Sequence, residues 1–386
     1  MKHNQFWTAL GSVFGAVLLA ASLMAAPHAS AGWLLTDMGA FSGGTSVARG
    51  LTPTGRVAGY SAEADGQLYP FLSSRGLVSK VGNDPGVTLA VNALGQSAGI
   101  LLGADNYGHV GLFAGQTSTD LGSIDGGGNI ATDINNIEQV VGYTILANHD
   151  ERAFVADKYS LVNLGTLGGR SSRAIAINRA SVITGFSTTD TTGGPTHCFV
   201  SYGNGMVDIG SLASTGNCIP AAINDAGQIV GTANNGTALH AFLYDGSQFH
   251  DLGTLGGNTS AANGINQLGQ VVGQAQTANG DRRAFLYSAG KMINLGSPIA
   301  KGGSSSANAV NANGQAIGYY ILPDDSRHIP ILFRNGRIID LNTVLPMLTE
   351  VDAEFLYLND AGQIAGTGKI NGARHAFLLT PVPWNT

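Results

Sequence analysis

Residues 251–287, DLGTLGGNTSAANGINQLGQVVGQAQTANGDRRAFLY, hold one full copy of a unit that recurs along the chain. The unit runs Asp/Asn-Leu-Gly, a Gly-rich loop, a small-residue run ending Ile-Asn, a tight turn into Gly-Gln, and Val-Val-Gly. A variable loop follows, then Ala-Phe-Leu-Tyr. The Gly that closes each turn-and-strand signature falls at Gly59, Gly99, Gly142, Gly185, Gly231, Gly273, Gly318 and Gly366. Eight units of about 44 residues fill residues 32–386, and such a period overrides the two or three domains that length alone suggests.

Within the unit, residues 260–266, 270–276, 283–287 and 291–295 read as four short strands. Gln267-Leu268-Gly269, residues 277–282 and Ser288-Ala289-Gly290 separate them, all rich in turn formers. No window carries the apolar stripe of a surface helix. Four strands per period of about 40–45 residues is the length of a propeller blade. The expected fold is all-β, a closed β-propeller of four-stranded blades, eight of them, with seven the alternative. Residues 33–38 match the fourth strand of a blade, and the last unit stops after its third strand, residues 376–379. The N-terminal strand should therefore complete the C-terminal blade and leave no open sheet edge.

Three recurring columns have structural explanations. In the first strand of each unit small residues (Ala174 and Ala176, Ala262 and Gly264, Ala307 and Ala309) alternate with larger ones (Ile175 and Ile177, Leu89 and Val91). Alternate side chains point to opposite faces, so one face is expected to be slim and the other bulky. A turn Asn recurs as Asn92, Asn135, Asn178, Asn224, Asn266, Asn311 and Asn359, with Thr52 in the first unit. Asn stabilises tight turns by bonding nearby backbone, and a turn needs eight copies where a catalytic residue does not. Phe71, Phe154, Phe199, Phe242, Phe285 and Phe377, with Leu112 and Ile331, form the third column and are expected between blades, each burial contributing roughly 1.5–3 kcal/mol.

Residues 1–31 read as a cleavable export signal: Lys2 and His3, a mostly apolar run over 6–24, then Ala29-Ser30-Ala31. Cleavage after Ala31 would leave a single domain, residues 32–386, with no further apolar span, and an extracellular or periplasmic location. Charged residues are 11%, net charge is −6 and Gly numbers 56. That composition suits exported all-β chains and offers no basic patch for nucleic acid. Cys198 and Cys218 are the only cysteines. In an oxidising compartment they either pair or stand as two buried thiols, and spacing leaves both open. No Cys/His ligand cluster or Asp-rich calcium loop is present, so neither metal nor cofactor is expected.

His240-Ala241-Phe242 and His375-Ala376-Phe377, together with the Asp-Leu-Gly-Thr-Leu-Gly-Gly and Ile-Asn-x-x-Gly-Gln signatures, resemble the HAF-repeat family of bacterial extracellular proteins. The resemblance covers residues 32–386 and implies export, but it brings no activity, ligand or catalytic residue. Arg152 and Arg283 stand where His would, Cys198 replaces Ala, and Thr52 replaces the turn Asn. The last unit departs most: residues 341–354 form a longer loop, and Phe355 and Tyr357 fall in the slim row.

An up-and-down blade sends its connections to two opposite rims, one with short uniform turns and one with variable loops. Functional groups concentrate on loops held by a rigid scaffold. The candidate ligand-binding residues are therefore those of the variable rim: Asp105, Tyr107, His149, Asp150, Arg170, Arg173, Asp281, Arg282, Asp324 and Asp325. Glu63, Asp65, Asp190, Arg327 and His328 share that rim. No nucleophile elbow, zinc-protease helix or phosphate loop is present. The leading expectation is a monomeric binding module for a glycan or protein, with no catalysis evident. A structural cell-surface component comes second and a propeller hydrolase or lyase using paired rim carboxylates third.

Overall fold

The computed structural model describes residues 28–30, 32–102, 108–298, 303–323, 327–344 and 346–382. Most of residues 1–31, the stretch expected to be an export signal, lies outside these residues. Among the described residues the chain forms eight antiparallel sheets, each built from strands consecutive in sequence except the one that joins the chain's two ends. It is an eight-bladed propeller. Blade 6 shows the plan: Gly256–Ile265, Val271–Thr277, Arg282–Ser288 and Lys291–Gly296, paired in that order from the axis outward.

Closure occurs where the sequence places it. Trp33–Asp37 pairs antiparallel with Ala373–Pro381, Trp33 opposite Pro381 and Asp37 opposite Phe377. Blade 8 is thus finished by the N-terminal strand. Trp33, Leu35 and Met38 are buried there. His28–Ser30 adds a further strand outside Trp33–Asp37, and the expected cleavage after Ala31 would remove it.

The period-marking Gly is required by close approach. A Cβ on Gly59, Gly99, Gly142, Gly185, Gly231, Gly273 or Gly318 would overlap a carbonyl oxygen of the neighbouring first strand; at Gly366 it meets Leu356 instead. In six blades a fully buried Phe lies opposite this Gly, with Ile331 in the seventh blade. Blade 2 corrects the expected column. Gly99 faces Gly111, while Leu112 faces Ala98, and the Phe113 ring fills the space against Gly86 and Gly111.

The slim-and-bulky alternation is also corrected. In seven blades the first strand carries a bulge, for example between Ala174 and Ala176 and between Ala262 and Gly264. An extra residue flips the side-chain parity. Ala174 and Ile177 therefore both end up buried, while Ile175 and Leu89, read as bulky-row residues, are the half-buried bulge positions.

Two blades depart from the plan. Blade 1 has three full strands, and residues 77–81 follow the third through isolated bridges such as Phe71 to Lys80. In blade 8 the innermost strand is broken into Leu348–Thr349 and Tyr357–Leu358, which both pair with Ile364–Ile370. One helical turn, Leu341–Val344, leads into this break.

The turn Asn residues join blades as well as forming turns. Each Asn Oδ1 accepts backbone N–H bonds from its own turn, as Asn266 does from Leu268 and Gln270. Its Nδ2 donates to the carbonyl of the matching residue in the next blade and, except at Asn178, where Val182 takes the place of Gln, to the Gln four residues on. The inter-blade bonds run Asn92 to Asn135, then to Asn178, Asn224, Asn266, Asn311, Asn359 and Thr52, at 2.9–3.5 Å. The Asn359–Thr52 bond crosses the closure. In Ile-Asn-x-x-Gly-Gln, the Gln is the amide that holds the Asn side chain, as Gln270 Oε1 does at 2.7 Å.

A second seam lies farther out. Ser46, Ser172, Ser260 and Ser305 each accept from the N–H of an Ala in the preceding blade's third strand: Ala376, Ala153, Ala241 and Ala284. Each also donates to a Gly carbonyl at the end of the preceding fourth strand, at 2.5–2.6 Å. Between blades 4 and 5, Cys198 and Cys218 stand in the Ala and Ser places. They form a disulfide, Cα atoms 5.2 Å apart and both residues fully buried.

Candidate functional site

The His-Ala-Phe and Asp-Leu-Gly signatures are absorbed by the scaffold. His109, His197, His240 and His375 bond Asp120, Asp208, Asp251 and Asp37 through Nδ1 at 2.7–3.1 Å. The same Asp accepts the N–H of the Gly two residues on, closing the strand. Where Arg152 and Arg283 replace His, Asn163 and Asn294 replace Asp and keep the Gly bond. The guanidinium then reaches the next blade's loop, Arg152 to the carbonyl of Arg170 and Arg283 to that of Gly303. These histidines are engaged in strand ends, one blade apart or more.

On the variable rim the structure gathers His149, Asp150, Arg170 and Arg173 at the junction of blades 3 and 4. Asp150 Oδ1 accepts from Arg170 Nε at 3.1 Å. Arg173 holds Glu151 with two bonds of 2.5 and 2.6 Å, its guanidinium 4.5 Å from the Tyr143 ring centroid and 5.9 Å from that of Phe186. The Glu151 bond raises the Arg173 pKa against the opposing effect of burial. Burial raises the Tyr143 pKa, with Arg173 working the other way. His149 sits exposed at the turn with φ 66°.

Asp281 and Arg282 do not join that group, since they belong to blade 6. Asp281 bonds Arg283 at 2.8 Å, and Arg282 borders a small cleft of about 180 Å³ with Leu239 and Gln274. Asp105, Tyr107, Asp324 and Asp325 lie outside the described residues.

The larger cleft, about 500 Å³, opens on the same rim between blades 7 and 8. It exists because residues 350–356 loop out of the broken inner strand. Glu350, Asp352, Glu354 and Phe355 come from this loop, Arg327 and His328 from the start of a blade 7 strand, and Arg374 from the start of a blade 8 strand. Its ionisable side chains are paired: Arg374 bonds Asp352, His328 bonds Glu354 at 2.7 Å, and Lys369 bonds Glu350 at 2.7 Å. His328 stacks on Tyr319 with centroids 4.2 Å apart. Burial lifts the Tyr319 hydroxyl pKa, with Glu354 adding to the rise. Phe355 stays 48% exposed, with the Arg49 guanidinium 4.8 Å from its centroid.

Of these lining groups, only Arg327 and His328 were placed on the rim by sequence. Glu350, Asp352, Glu354, Phe355 and Arg374 were missed. The signal was the irregular last unit, whose long loop and out-of-place Phe355 look like a packing fault when each unit is compared with the consensus. A distinct carboxylate, Asp133, sits half-buried between blades 3 and 4. Burial lifts its pKa to about 6, opposed by the N–H groups of Ile177 and Ile134.

No family model matches the chain, and no curated protein matches it. Among solved structures, the β-propeller domain of the Trilobed protease from Pyrococcus furiosus aligns at 9% identity and TM-score 0.47, over 80% of this chain and 98% of that one. An oligogalacturonate lyase from Vibrio parahaemolyticus aligns at 10% identity and TM-score 0.47, over 93% and 96%. The likeness is one of fold. At these identities it says nothing about activity, and the cleft between blades 7 and 8 has to be judged by its own chemistry.

Proposed function

We propose that this chain is an exported binding module that docks a carbohydrate or protein ligand on the variable rim of the propeller, without catalysis of its own. The observation that carries this is the cleft of about 500 Å³ between blades 7 and 8. Its volume falls in the range of small-molecule sites, and it combines a half-exposed aromatic ring with convergent polar groups. On the opposite rim the inner turns have amides and carbonyls committed to the Asn ring. Each carboxylate of the cleft loop is already engaged by a basic side chain, Asp352 by Arg374, Glu354 by His328 and Glu350 by Lys369. The Cys198–Cys218 disulfide suits an oxidising compartment. The signal-like N-terminus and the HAF-type signatures support the same extracellular or periplasmic setting.

The test is hydrogen exchange on the purified chain with and without ligands recovered from a glycan and protein array. Protection is expected in the variable-rim loops around residues 146–152, 168–173 and 350–356. Protection confined to the Asn turns, or to the outermost strands, rejects the rim.

A further inference from the structure

With the variable rim taken as the docking face, the cleft between blades 7 and 8 has chemistry that selects among ligands. Its ionisable side chains are paired internally: Asp352 with Arg374, Glu354 with His328, Glu350 with Lys369. Arg327 is engaged as well. An ionic ligand would have to displace one member of a pair and leave the other unpaired, which is costly in a partly enclosed site. Ion-paired carboxylates nonetheless keep lone pairs free to accept from hydroxyls, and guanidinium groups keep donors. Asn342 adds an amide that does both.

Phe355 supplies the other half of the pattern. A large apolar ring held 48% exposed at the edge of a polar cleft, and fixed by Arg49, offers a flat apolar platform in a pre-set orientation. A ligand that covers it must present an apolar face, and must present hydroxyl groups around its edge to the paired charges. A pyranose ring has that shape. Resting on the rim as the ligand face, we infer that the cleft binds a neutral saccharide, with Phe355 under a sugar face and the Asp352–Arg374 and Glu354–His328 pairs, each a donor beside an acceptor, at its hydroxyl edge.

The experiment probes the full chain with an array of neutral and uronate-bearing saccharides, followed by calorimetry on the neutral hits at low and high salt. The expected result is binding of neutral sugars that changes little with salt, since no counterion is displaced. Phe355→Ala should weaken it at least roughly tenfold, Phe355→Trp should retain it, and Tyr159→Ala, at an exposed ring in a turn of the opposite rim, should leave it unchanged. Phe355 is half exposed, so equal melting temperatures for Phe355→Ala and wild type are the check on folding. Neutral sugars that bind equally well to Phe355→Ala but are lost with Arg173→Ala would overturn this assignment while leaving the variable rim in place. Binding only of uronate-bearing sugars with steep salt dependence, or of no saccharide, would also overturn it. The rim itself then stands or falls on the hydrogen-exchange pattern with a protein ligand.

Discussion

A single atom decides much of this fold. Placing a Cβ on Gly273 would drive it into the carbonyl oxygen of Ala261, with backbone on both sides and no flexible group to yield. Gly273→Ala should cost at least about 3 kcal/mol in urea unfolding, the upper end for overpacked cores. Asp133 makes a second residue-level case. Its folded pKa of about 6 lies above the ordinary value of 3.8, so between these pH values the folded chain binds the extra proton. Its stabilising share is full below pH 3.8 and is lost as pH rises through 6. Asp133→Asn removes that slope. The stability of wild type relative to the variant should fall by up to about 3 kcal/mol between pH 4 and pH 7. The period of Gly residues was legible in the sequence because backbone crowding admits no other side chain. The parity of the first strands was not, because a bulge adds a residue without any composition signal: Ile175 and Leu89 are ordinary strand residues in an unusual register.

At the scale of the element, the turn after each first strand doubles as a fastener. Asn266→Ala should lose about 1–3 kcal/mol, for it leaves partly buried turn amides and the buried Asn311 carbonyl without partners. Asn266→Asp should be at least as damaging at pH 7. It keeps the acceptor but points a second carboxylate oxygen at the oxygens of Gln270 and Asn311, and chemical denaturation of the two variants side by side checks this order. The disulfide can be judged against its own neighbours. The double variant Cys198→Ala, Cys218→Ser recreates the pairing seen at Ala241 and Ser260. It should lose the roughly 3 kcal/mol of cross-linking expected for a short loop. Cys198→Ala with Cys218→Ala should lose about 1 kcal/mol more, the hydrogen bond. Sequence showed the turn role of Asn directly. That its amide also crosses to the next blade needed coordinates, since the partner is a backbone carbonyl with no side-chain signature.

For the whole molecule, eight sheets close because Trp33–Asp37 seats itself against Ala373–Pro381. Deleting residues 33–38 removes Trp33, Leu35 and Met38 from the interior, and with them the Asp37 partner of His375. Each buried apolar side chain is worth a few kcal/mol, so the melting temperature should fall by more than about 10 °C in calorimetry. The closure was readable from strand bookkeeping at the two ends of the chain. The cleft was not, because it arises where the repeat fails, and departures from a pattern name a place without naming its shape. His149, Asp150, Arg170 and Arg173 lie together at the junction of blades 3 and 4, whereas Asp281 and Arg282 lie in blade 6.

The pairing of Trp33 with Pro381 sets the two described ends of the chain side by side. A short linker between them, with new termini cut into the Ser288-Ala289-Gly290 turn, would give a circular permutant whose closing strand lies in blade 6. Such a chain should still reach the native ring. It should do so at a different rate, because the longest-range contact, and so the slowest search, moves to another junction.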